Sequence, residues 1–303
     1  DATQGWIPTT DDDVTDAPSK SNMEGIFAFG TTGSLTAVSN LVSNAGVVGT
    51  DVTGVGTARN TPAACEYGED KGIIGYGTTA GGNQSMTNLV SNAGVVATDT
   101  TGVGTVRYGT AACSYGDDKG IFAYGHESSS LSVSNLVSNA GVVATDTTGV
   151  GTARWGAGAC EYGGDKGIFG YGDTGSPVGM TNLVSNAGVV ATDVTAVGTV
   201  RYWPGACGYG EDKGIFGFGG GPVSMTNLVS NAGVVATDTT GVGTARWGTA
   251  ATQYGYDKGI FAYGWTGSTR ISVSNLVSNA GVMATDVTGV GTARNELAAC
   301  SFN

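Results

Sequence analysis

The sequence predicts an all-β fold, a six-bladed β-propeller with four antiparallel strands per blade, on three observations. First, a sequence repeat of about 47 residues recurs along almost the whole chain. Second, each copy divides into four short β segments separated by turn residues. Third, the chain begins with an Ile-aromatic segment and ends with the arginine-led segment that precedes it in the other copies, so the two ends complete one blade. The Ile-aromatic segments begin at Ile26, Ile73, Ile121, Ile168, Ile215 and Ile260.

One copy shows how each segment is predicted. Residues 120–125 (GIFAYG) alternate small or aliphatic with aromatic side chains, as in a strand whose two faces meet different neighbours. Residues 131–138 (LSVSNLVS) form the second segment, and an Asn139-Ala-Gly turn of hairpin type leads to the third at 142–146. The fourth, residues 154–162 (RWGAGACEY), is rich in Gly and Ala, which indicates a crowded position near a central axis.

The repeat also predicts the domain boundaries. Residues 1–22 match no other part of the chain, so we expect a strap or linker whose Trp6 and Ile7 dock on the body. Its acidic run at 11–13 (DDD) is predicted to be solvated rather than to bind calcium. Residues 23–303 form one propeller, in which the terminal strand at 294–303 closes the ring and removes an open edge. The predicted blades are 23–58 with 294–303, 59–106, 107–153, 154–200, 201–245 and 246–293.

Composition and charge restrict the function classes. The 303 residues carry a formal net charge of −12, and six of the thirteen Lys and Arg are the repeated arginines, so no basic patch for nucleic acid is expected. No run approaches the roughly 18 apolar residues of a membrane span. The first residues lack a signal-peptide pattern, although a chain that begins at Asp1 is compatible with export. One histidine, no Gly-x-Ser-x-Gly elbow and no phosphate-loop signature predict no catalytic residues, no cofactor and no metal.

The five cysteines are predicted to be free and buried. They occupy one position of successive repeats, where Thr252 fills the remaining copy. Equivalent positions need not face each other, whereas a disulfide requires Cα atoms within about 7 Å. Because no Cys-x-x-Cys pair exists, we expect small hydrophobic packing rather than metal binding. The cysteines are Cys65, Cys113, Cys160, Cys207 and Cys300.

Two charged positions recur in every copy and form a predicted structural ring. An aspartate lies eight residues before each repeated arginine, at the other end of a connecting turn. A ring of anion or sugar sites is one interpretation. Identical use in six copies favours a scaffold, in which each arginine binds an aspartate or backbone carbonyls where the chain crosses between blades. The residues are Arg59, Arg107, Arg154, Arg201, Arg246 and Arg294 with Asp51, Asp99, Asp146, Asp193, Asp238 and Asp286.

The loop after the Ile-aromatic segment differs in every copy, and the six loops are expected on one face of the disc. Candidate binding side chains, which can stack on or hydrogen-bond to glycans and protein loops, are Asn83, Gln84, His126, Glu127, Asp173, Trp265 and Arg270. Sequence drift without selection explains the same variation. A second variable set follows the arginines, at Asn60, Tyr108, Trp155, Tyr202 with Trp203, Trp247 and Asn295. We expect these residues to pack between adjacent blades. The alternative is that their rings form a stacking rim around the mouth of the propeller's central channel.

The order of the segments resembles the kelch repeat. An arginine-led segment that ends in an aromatic residue and Gly is followed by residues 165–172 (DKGIFGYG), and 139–143 (NAGVV) is similar to the turn and fourth strand of that repeat. The resemblance covers residues 23–303 and implies a propeller. Two features differ, because Gly-aromatic-Gly replaces the usual glycine pair and valine stands where a kelch blade usually has tryptophan.

The phrases NLVSNAGVV and TGVGTAR also resemble those of repeat proteins encoded among bacteriophage virion genes. This resemblance implies a non-enzymatic virion protein, such as a fibre, tail-tip or capsid decoration, that presents its loop face for adhesion to a host-surface glycan or protein. It implies other virion proteins as partners through the N-terminal strap, no nucleic acid, no membrane insertion, and a virion or extracellular location. A secreted or cell-surface propeller lectin with repeated sugar pockets is the alternative. Polysaccharide hydrolase or lyase activity is the weakest candidate, because most acids repeat and would share one environment.

Overall fold

The structure, a computed structural model, describes residues 23–302, and the regular secondary structure of this part is entirely β. The predicted strap at 1–22, with Trp6, Ile7 and the acidic run, lies outside the described residues, as does Asn303. Within residues 23–302 no helix could span a membrane. The strands are β1 (Glu24–Ala28), β2 (Ser39–Val42), β3 (Ala63–Tyr67), β4 (Lys71–Gly75), β5 (Thr78–Thr79), β6 (Gly82–Asn83), β7 (Thr87–Val90), β8 (Ala111–Tyr115), β9 (Lys119–His126), β10 (Ser130–Val137), β11 (Gly158–Tyr162), β12 (Lys166–Asp173), β13 (Pro177–Val184), β14 (Gly205–Tyr209), β15 (Lys213–Gly217), β16 (Thr226–Val229), β17 (Ala250–Tyr254), β18 (Lys258–Trp265), β19 (Arg270–Val277) and β20 (Ala298–Phe302).

Six antiparallel sheets of three strands contain all of these strands except β5 and β6, which form a separate hairpin. Five sheets follow the chain, in the orders β3-β4-β7, β8-β9-β10, β11-β12-β13, β14-β15-β16 and β17-β18-β19. The sixth, β2-β1-β20, contains both ends of the described chain, and Ile26 lies opposite Cys300. The sequence predicts this pairing of the last strand with the first Ile-aromatic strand.

The sequence predicts four strands per repeat, whereas each sheet has three. The segment at 142–146 is not a strand and meets β10 only through isolated bridges, such as Val137 with Val143. One cause is the buried side chain of Asn135, whose Nδ2 donates to the carbonyl oxygen of Ala144 at 2.9 Å. The Ala144 carbonyl is thereby bound to a side chain instead of to a backbone N–H of a neighbouring strand, and the regular pairing of strands does not continue here.

Cysteine and glycine at matched positions set the distance between neighbouring sheets. A Cβ atom added to Gly120 of β9 would lie 2.5 Å from Sγ of Cys65 in β3, so only glycine leaves room for this thiol. The other matched positions are Gly167 with Cys113, Gly214 with Cys160, Gly259 with Cys207, Gly72 with Cys300 and Gly25 with Thr252. All five cysteines are free and buried, as predicted, and burial raises the pKa of Cys207 to about 12.

The hydrophobic core is divided into clusters between neighbouring sheets. One cluster joins Ile121 and Tyr124 of β9 to Phe169 of β12. The inner strands of the sheets contact one another in the order β3, β8, β11, β14, β17, β20, and β20 also contacts β3. These strands surround a narrow cavity of about 50 Å³, whose lining includes the cysteines and alanines that the sequence places near a central axis.

Candidate functional site

Each repeated arginine is buried between two repeats. Arg154 is 0% exposed, and its guanidinium carbon lies 3.9 Å from the ring centre of Tyr124 in the preceding repeat. Its Nε donates to the carbonyl oxygen of Tyr171 at 2.8 Å, and its Nη2 donates to Oδ1 of Asn182 at 2.7 Å. The arginine therefore stacks on the preceding repeat and hydrogen-bonds within its own. The other stacked pairs are Arg59 on Phe29, Arg107 on Tyr76, Arg201 on Tyr171, Arg246 on Phe218 and Arg294 on Tyr263.

The stacking depends on a local departure from strand geometry. Tyr124 lies between two residues that pair regularly with β10, but the pairing register skips it, and its φ is 61°. This left-handed conformation is unfavourable for residues other than glycine by about 1–2 kcal/mol. The interaction of the ring with the buried guanidinium offsets that cost. The equivalent residues Phe29, Tyr76, Tyr171, Phe218 and Tyr263 have φ values of 61–64°.

The aspartate that meets each arginine lies later in the arginine's own repeat, not at the start of the connecting turn that leads to the arginine. Arg59 Nη1 lies 3.9 Å from Oδ1 of Asp99. Asp51, eight residues before Arg59, instead attracts Arg294 from the other end of the chain. The remaining pairs are Arg107 with Asp146, Arg154 with Asp193, Arg201 with Asp238 and Arg246 with Asp286.

Each aspartate also fixes the turn that leads into its arginine. Asp99 Oδ2 accepts hydrogen bonds from the backbone N–H and the hydroxyl of Thr57, at 3.0 and 2.6 Å. Partial burial alone would raise the pKa of Asp99, but the hydrogen bonds from Thr57 and Asn88 outweigh it and hold the pKa below its ordinary value. We call these six sets of arginine, aspartate and stacked aromatic residue the arginine clamps. Their internal contacts fit the scaffold interpretation of the charged ring.

The variable loops and the residues that follow the arginines lie at the same end of the sheets. The sequence predicts a strand that starts at each arginine, but the observed strand starts several residues after it; β11, for example, begins at Gly158. The residues between the arginine and the strand lie beside a variable loop. The two variable sets that the sequence presents separately therefore form one surface. The bridges at this surface include Tyr108 with His126, Trp155 with Asp173 and Trp247 with Trp265.

This surface contains a depression of about 460 Å³, which we call the aromatic depression. Its aromatic lining consists of Tyr108, Trp155, Tyr202, Trp203 and Trp247. Its remaining lining consists of Asn60, Thr61, Thr78, Asn83 and Glu296. Residues from all six repeats thus meet in one place.

The aromatic rings pack on one another and also line the depression. The ring centre of Trp155 lies 5.9 Å from that of Tyr108, 6.1 Å from that of Tyr202 and 5.6 Å from that of Trp203. Tyr202 lies 6.2 Å from Trp247. All five side chains are half-buried, so each is held by its neighbours while part of it reaches solvent. Both interpretations of this set, packing between repeats and a rim of rings, therefore apply.

The second residue after each arginine has a left-handed backbone. Glycine occupies this position in three repeats, but Thr61, Trp203 and Glu296 occupy it in the other three, with φ values of 55°, 52° and 57°. A non-glycine residue is strained in this region, and strained residues cluster at functional sites. All three of these side chains line the aromatic depression. The glycines are Gly109, Gly156 and Gly248, with φ values of 61–62°.

Main-chain hydrogen bonds join these positions from one repeat to the next. The N–H of Trp203 donates to the carbonyl of Gly156 at 2.7 Å, and the N–H of Glu296 donates to that of Gly248 at 2.9 Å. The N–H of Thr61 donates to the carbonyl of Glu296 at 2.8 Å. Because the bonded atoms belong to the backbone, this connection does not depend on which side chain is present.

Glu296 is the one charged side chain that lines the aromatic depression among the described residues. Burial raises the pKa of its carboxyl group, although a hydrogen bond from Asn60 and the charge of Arg270 oppose the rise. Asn60 Nδ2 donates to Glu296 Oε2 at 2.6 Å. The other end of this amide, Asn60 Oδ1, is buried and accepts no hydrogen bond from the described residues. Asn60 and Glu296, which we call the floor of the depression, therefore place a carboxyl group beside an unsatisfied amide carbonyl.

Of the predicted loop residues, Asn83 lines the depression, His126 and Trp265 contact residues that line it, and Arg270 contacts Trp265. The His126 ring centre lies 5.3 Å from that of Tyr108. Arg270 donates from Nε to Asn295 Oδ1 at 2.9 Å, and its guanidinium lies 5.0 Å from the ring centre of Trp265.

The remaining three predicted residues mainly stabilise their own loops. Asp173 accepts a hydrogen bond from Gly175 N, Gln84 donates to Gly82 O, and Glu127 accepts one from Ser128 N. The exposed Glu127 is thus not brought to the depression.

Sequence reasoning missed Glu296 and Thr61. The available signal was the glycine at the same position of three other repeats, since a departure from glycine there marks a side chain retained despite strain. Within the part of the chain that the structure describes, no group of three or more His, Cys, Asp or Glu side chains is arranged to hold a metal ion. No model of a known protein family matches the sequence, and no curated protein is significantly similar to it.

Proposed function

We propose that this chain is a non-enzymatic adhesion protein that binds a host-surface glycan in the aromatic depression. In this proposal it is carried on a bacteriophage particle as a fibre, tail-tip or capsid decoration, and residues 1–22 attach it to other virion proteins. The six sheets are then the blades of a closed, kelch-like β-propeller. The virion role is supported by the sequence resemblance alone, whereas binding is supported by the geometry of the depression.

The observation that carries the binding proposal is the convergence of five half-buried aromatic rings with amide and carboxylate groups at the variable end. Aromatic faces stack on the apolar faces of sugar rings, and amides and carboxylates hydrogen-bond to their hydroxyl groups. Three of the lining residues occupy strained positions where glycine would suffice for the fold. Their side chains thus line the depression at a cost in backbone strain, and Trp203 also packs against Trp155.

Binding without turnover fits the charged groups present. Acid–base cleavage of a glycosidic bond generally requires two positioned carboxyl groups. Glu296 is the single carboxylate that lines the depression among residues 23–302. The repeated aspartates are engaged in the arginine clamps, away from this lining.

The first test is binding of the purified protein to an array of bacterial surface polysaccharides, with two matched variants. Trp203→Gly removes a ring from the depression, and Tyr256→Gly removes an aromatic ring from another left-handed position, φ 77°, in the β17–β18 turn at the opposite end. We expect Trp203→Gly to lose binding and Tyr256→Gly to keep it. A wild-type protein that binds nothing on the array would contradict adhesion, and equal binding by both variants would exclude the depression as the site.

The virion role is tested separately by cryo-electron microscopy of the native source material. Regular copies of this chain on a capsid or tail are expected. A free monomeric disc would instead favour the second candidate, a secreted or cell-surface lectin. A lectin with repeated pockets would bind about six ligands per chain, whereas the aromatic depression, which forms once per chain, predicts a stoichiometry of one.

A further inference from the structure

The floor of the aromatic depression offers hydrogen-bond acceptors, while its nearest donors are already used. Asn60 Nδ2 donates to Glu296, and the Thr61 hydroxyl donates to the carbonyl of Asn60 at 2.7 Å. The Thr78 hydroxyl donates to Oδ1 of Asn83 at 2.7 Å. Beside them lie the Glu296 carboxyl group, which lines the depression, and Asn60 Oδ1, which is buried and has no donor among the described residues. A ligand group that binds the Glu296 carboxylate must donate hydrogen bonds.

The charge of the surroundings favours a cation. Aromatic faces attract cations placed above them, and the walls present five such rings. Arg270 does not line the depression, because it binds Asn295 and stacks on Trp265, and its charge only partly offsets the effect of burial on Glu296. The chain as a whole carries a net charge of −12, which attracts cations at longer range.

We propose that the aromatic depression recognises the protonated primary amino group of an amino sugar, with the ammonium on the Glu296 carboxylate and the sugar ring against the tryptophans. An ammonium group has three donors and no acceptor, which matches the floor. This inference rests on the proposed glycan-binding function and specifies its ligand.

The position of Glu296 supports this assignment independently of the aromatic walls. Its backbone is left-handed, and burial raises the pKa of its carboxyl group, so both the conformation and the ionised state are less favourable than for a solvated glutamate in an unstrained backbone. An ammonium ligand would stabilise the ionised carboxylate. Glycine at the equivalent position of three repeats indicates that the fold does not require this side chain.

The test is isothermal titration of the wild-type protein with a short β-1,4-linked oligosaccharide of glucosamine and with its fully N-acetylated counterpart. We expect the amine form to bind about tenfold or more tightly than the acetylated form, because acetylation removes the charge and two donors. Glu296→Gln keeps the shape and removes the charge, and should remove this preference. Glu127→Gln makes the same charge change on an exposed loop and should leave it intact.

Four results would overturn the inference. Equal binding of the amine and acetylated forms would leave a glycan site without ammonium recognition, and the proposed function would stand. Equal binding of choline, a cation without N–H donors, would show that the acceptors on the floor are not used. Binding of neither oligosaccharide, in a protein that binds other polysaccharides on the array, would exclude the amino sugar alone. If no polysaccharide binds at all, the proposed function fails together with this inference.

Discussion

Replacement of Arg154 by methionine should destabilise the protein strongly, although the site lies outside the aromatic depression. Methionine approximates the length of the side chain and avoids the desolvation of the guanidinium. It leaves the Tyr171 carbonyl and Asn182 Oδ1 without the donors now at 2.8 and 2.7 Å, and it removes the cation stacked on Tyr124. Unsatisfied buried acceptors cost about 1–3 kcal/mol each.

The expected loss of unfolding free energy is about 3–5 kcal/mol, in the range measured when one partner of a buried charged pair is removed. For a chain of this size, about 2 °C of Tm corresponds to 1 kcal/mol, so the Tm should fall by about 6–10 °C. Differential scanning calorimetry at neutral pH measures this shift directly.

The matched control is Lys166→Met, which removes an exposed cation 2.6 Å from Asp165 in the same repeat. Exposed ion pairs contribute little, so its Tm should hardly change. If the two variants had equal Tm values, the arginine clamp would not stabilise the fold. The charged ring would then have to be reconsidered as a set of binding sites.

Three further outcomes test other parts of the structure. Deletion of residues 294–303 removes β20 from the sheet with β1 and should unfold or oligomerise the protein in size-exclusion chromatography; a monomer with unchanged melting would contradict closure through the terminal strand. Because the folded-state pKa of the clamp aspartates is lowered, their stabilisation is present above the ordinary aspartate pKa and is lost as pH falls through the lowered value. The Tm should thus decrease at pH values below about 4, and Asp99→Asn should make the Tm less dependent on pH in calorimetry. An unchanged slope of Tm against pH would exclude Asp99 as a source of this dependence. Finally, the five buried thiols should react with a thiol reagent only on unfolding, and rapid labelling of the native protein would contradict their burial.

The repeats made much of the fold predictable. The alternation of residues 120–125 and 131–138 predicts β9 and β10, because periodicity reports directly which faces of a strand are buried. The third segment at 142–146 was wrongly predicted as a strand. Its sequence permits pairing, but the buried amide of Asn135 binds one of its carbonyls, and that competition is not visible in local residue preferences.

The candidate site was predictable only in part. The variable loops and the residues after the arginines were both identified, yet nothing in the sequence brings Tyr108 and His126 together, because that contact depends on tertiary pairing. For the same reason, the partner of Arg59 is Asp99 rather than the aspartate nearer in sequence. Glu296 was missed because its importance appears only when its backbone conformation is compared with that of the glycines in other repeats.

The main-chain hydrogen bonds beneath the depression make ligand specificity exchangeable at a few positions. Since Thr61, Trp203 and Glu296 connect to their neighbours through backbone atoms, other side chains could replace them without loss of those bonds. Side chains cannot be added at all six of these positions without a large cost. Each non-glycine residue at the second position after an arginine costs about 1–2 kcal/mol, and six would cost about 6–12 kcal/mol. That sum approaches the stability of about 5–15 kcal/mol of a typical folded protein. A change of ligand should therefore arise by exchange at these three positions, with the three glycines retained.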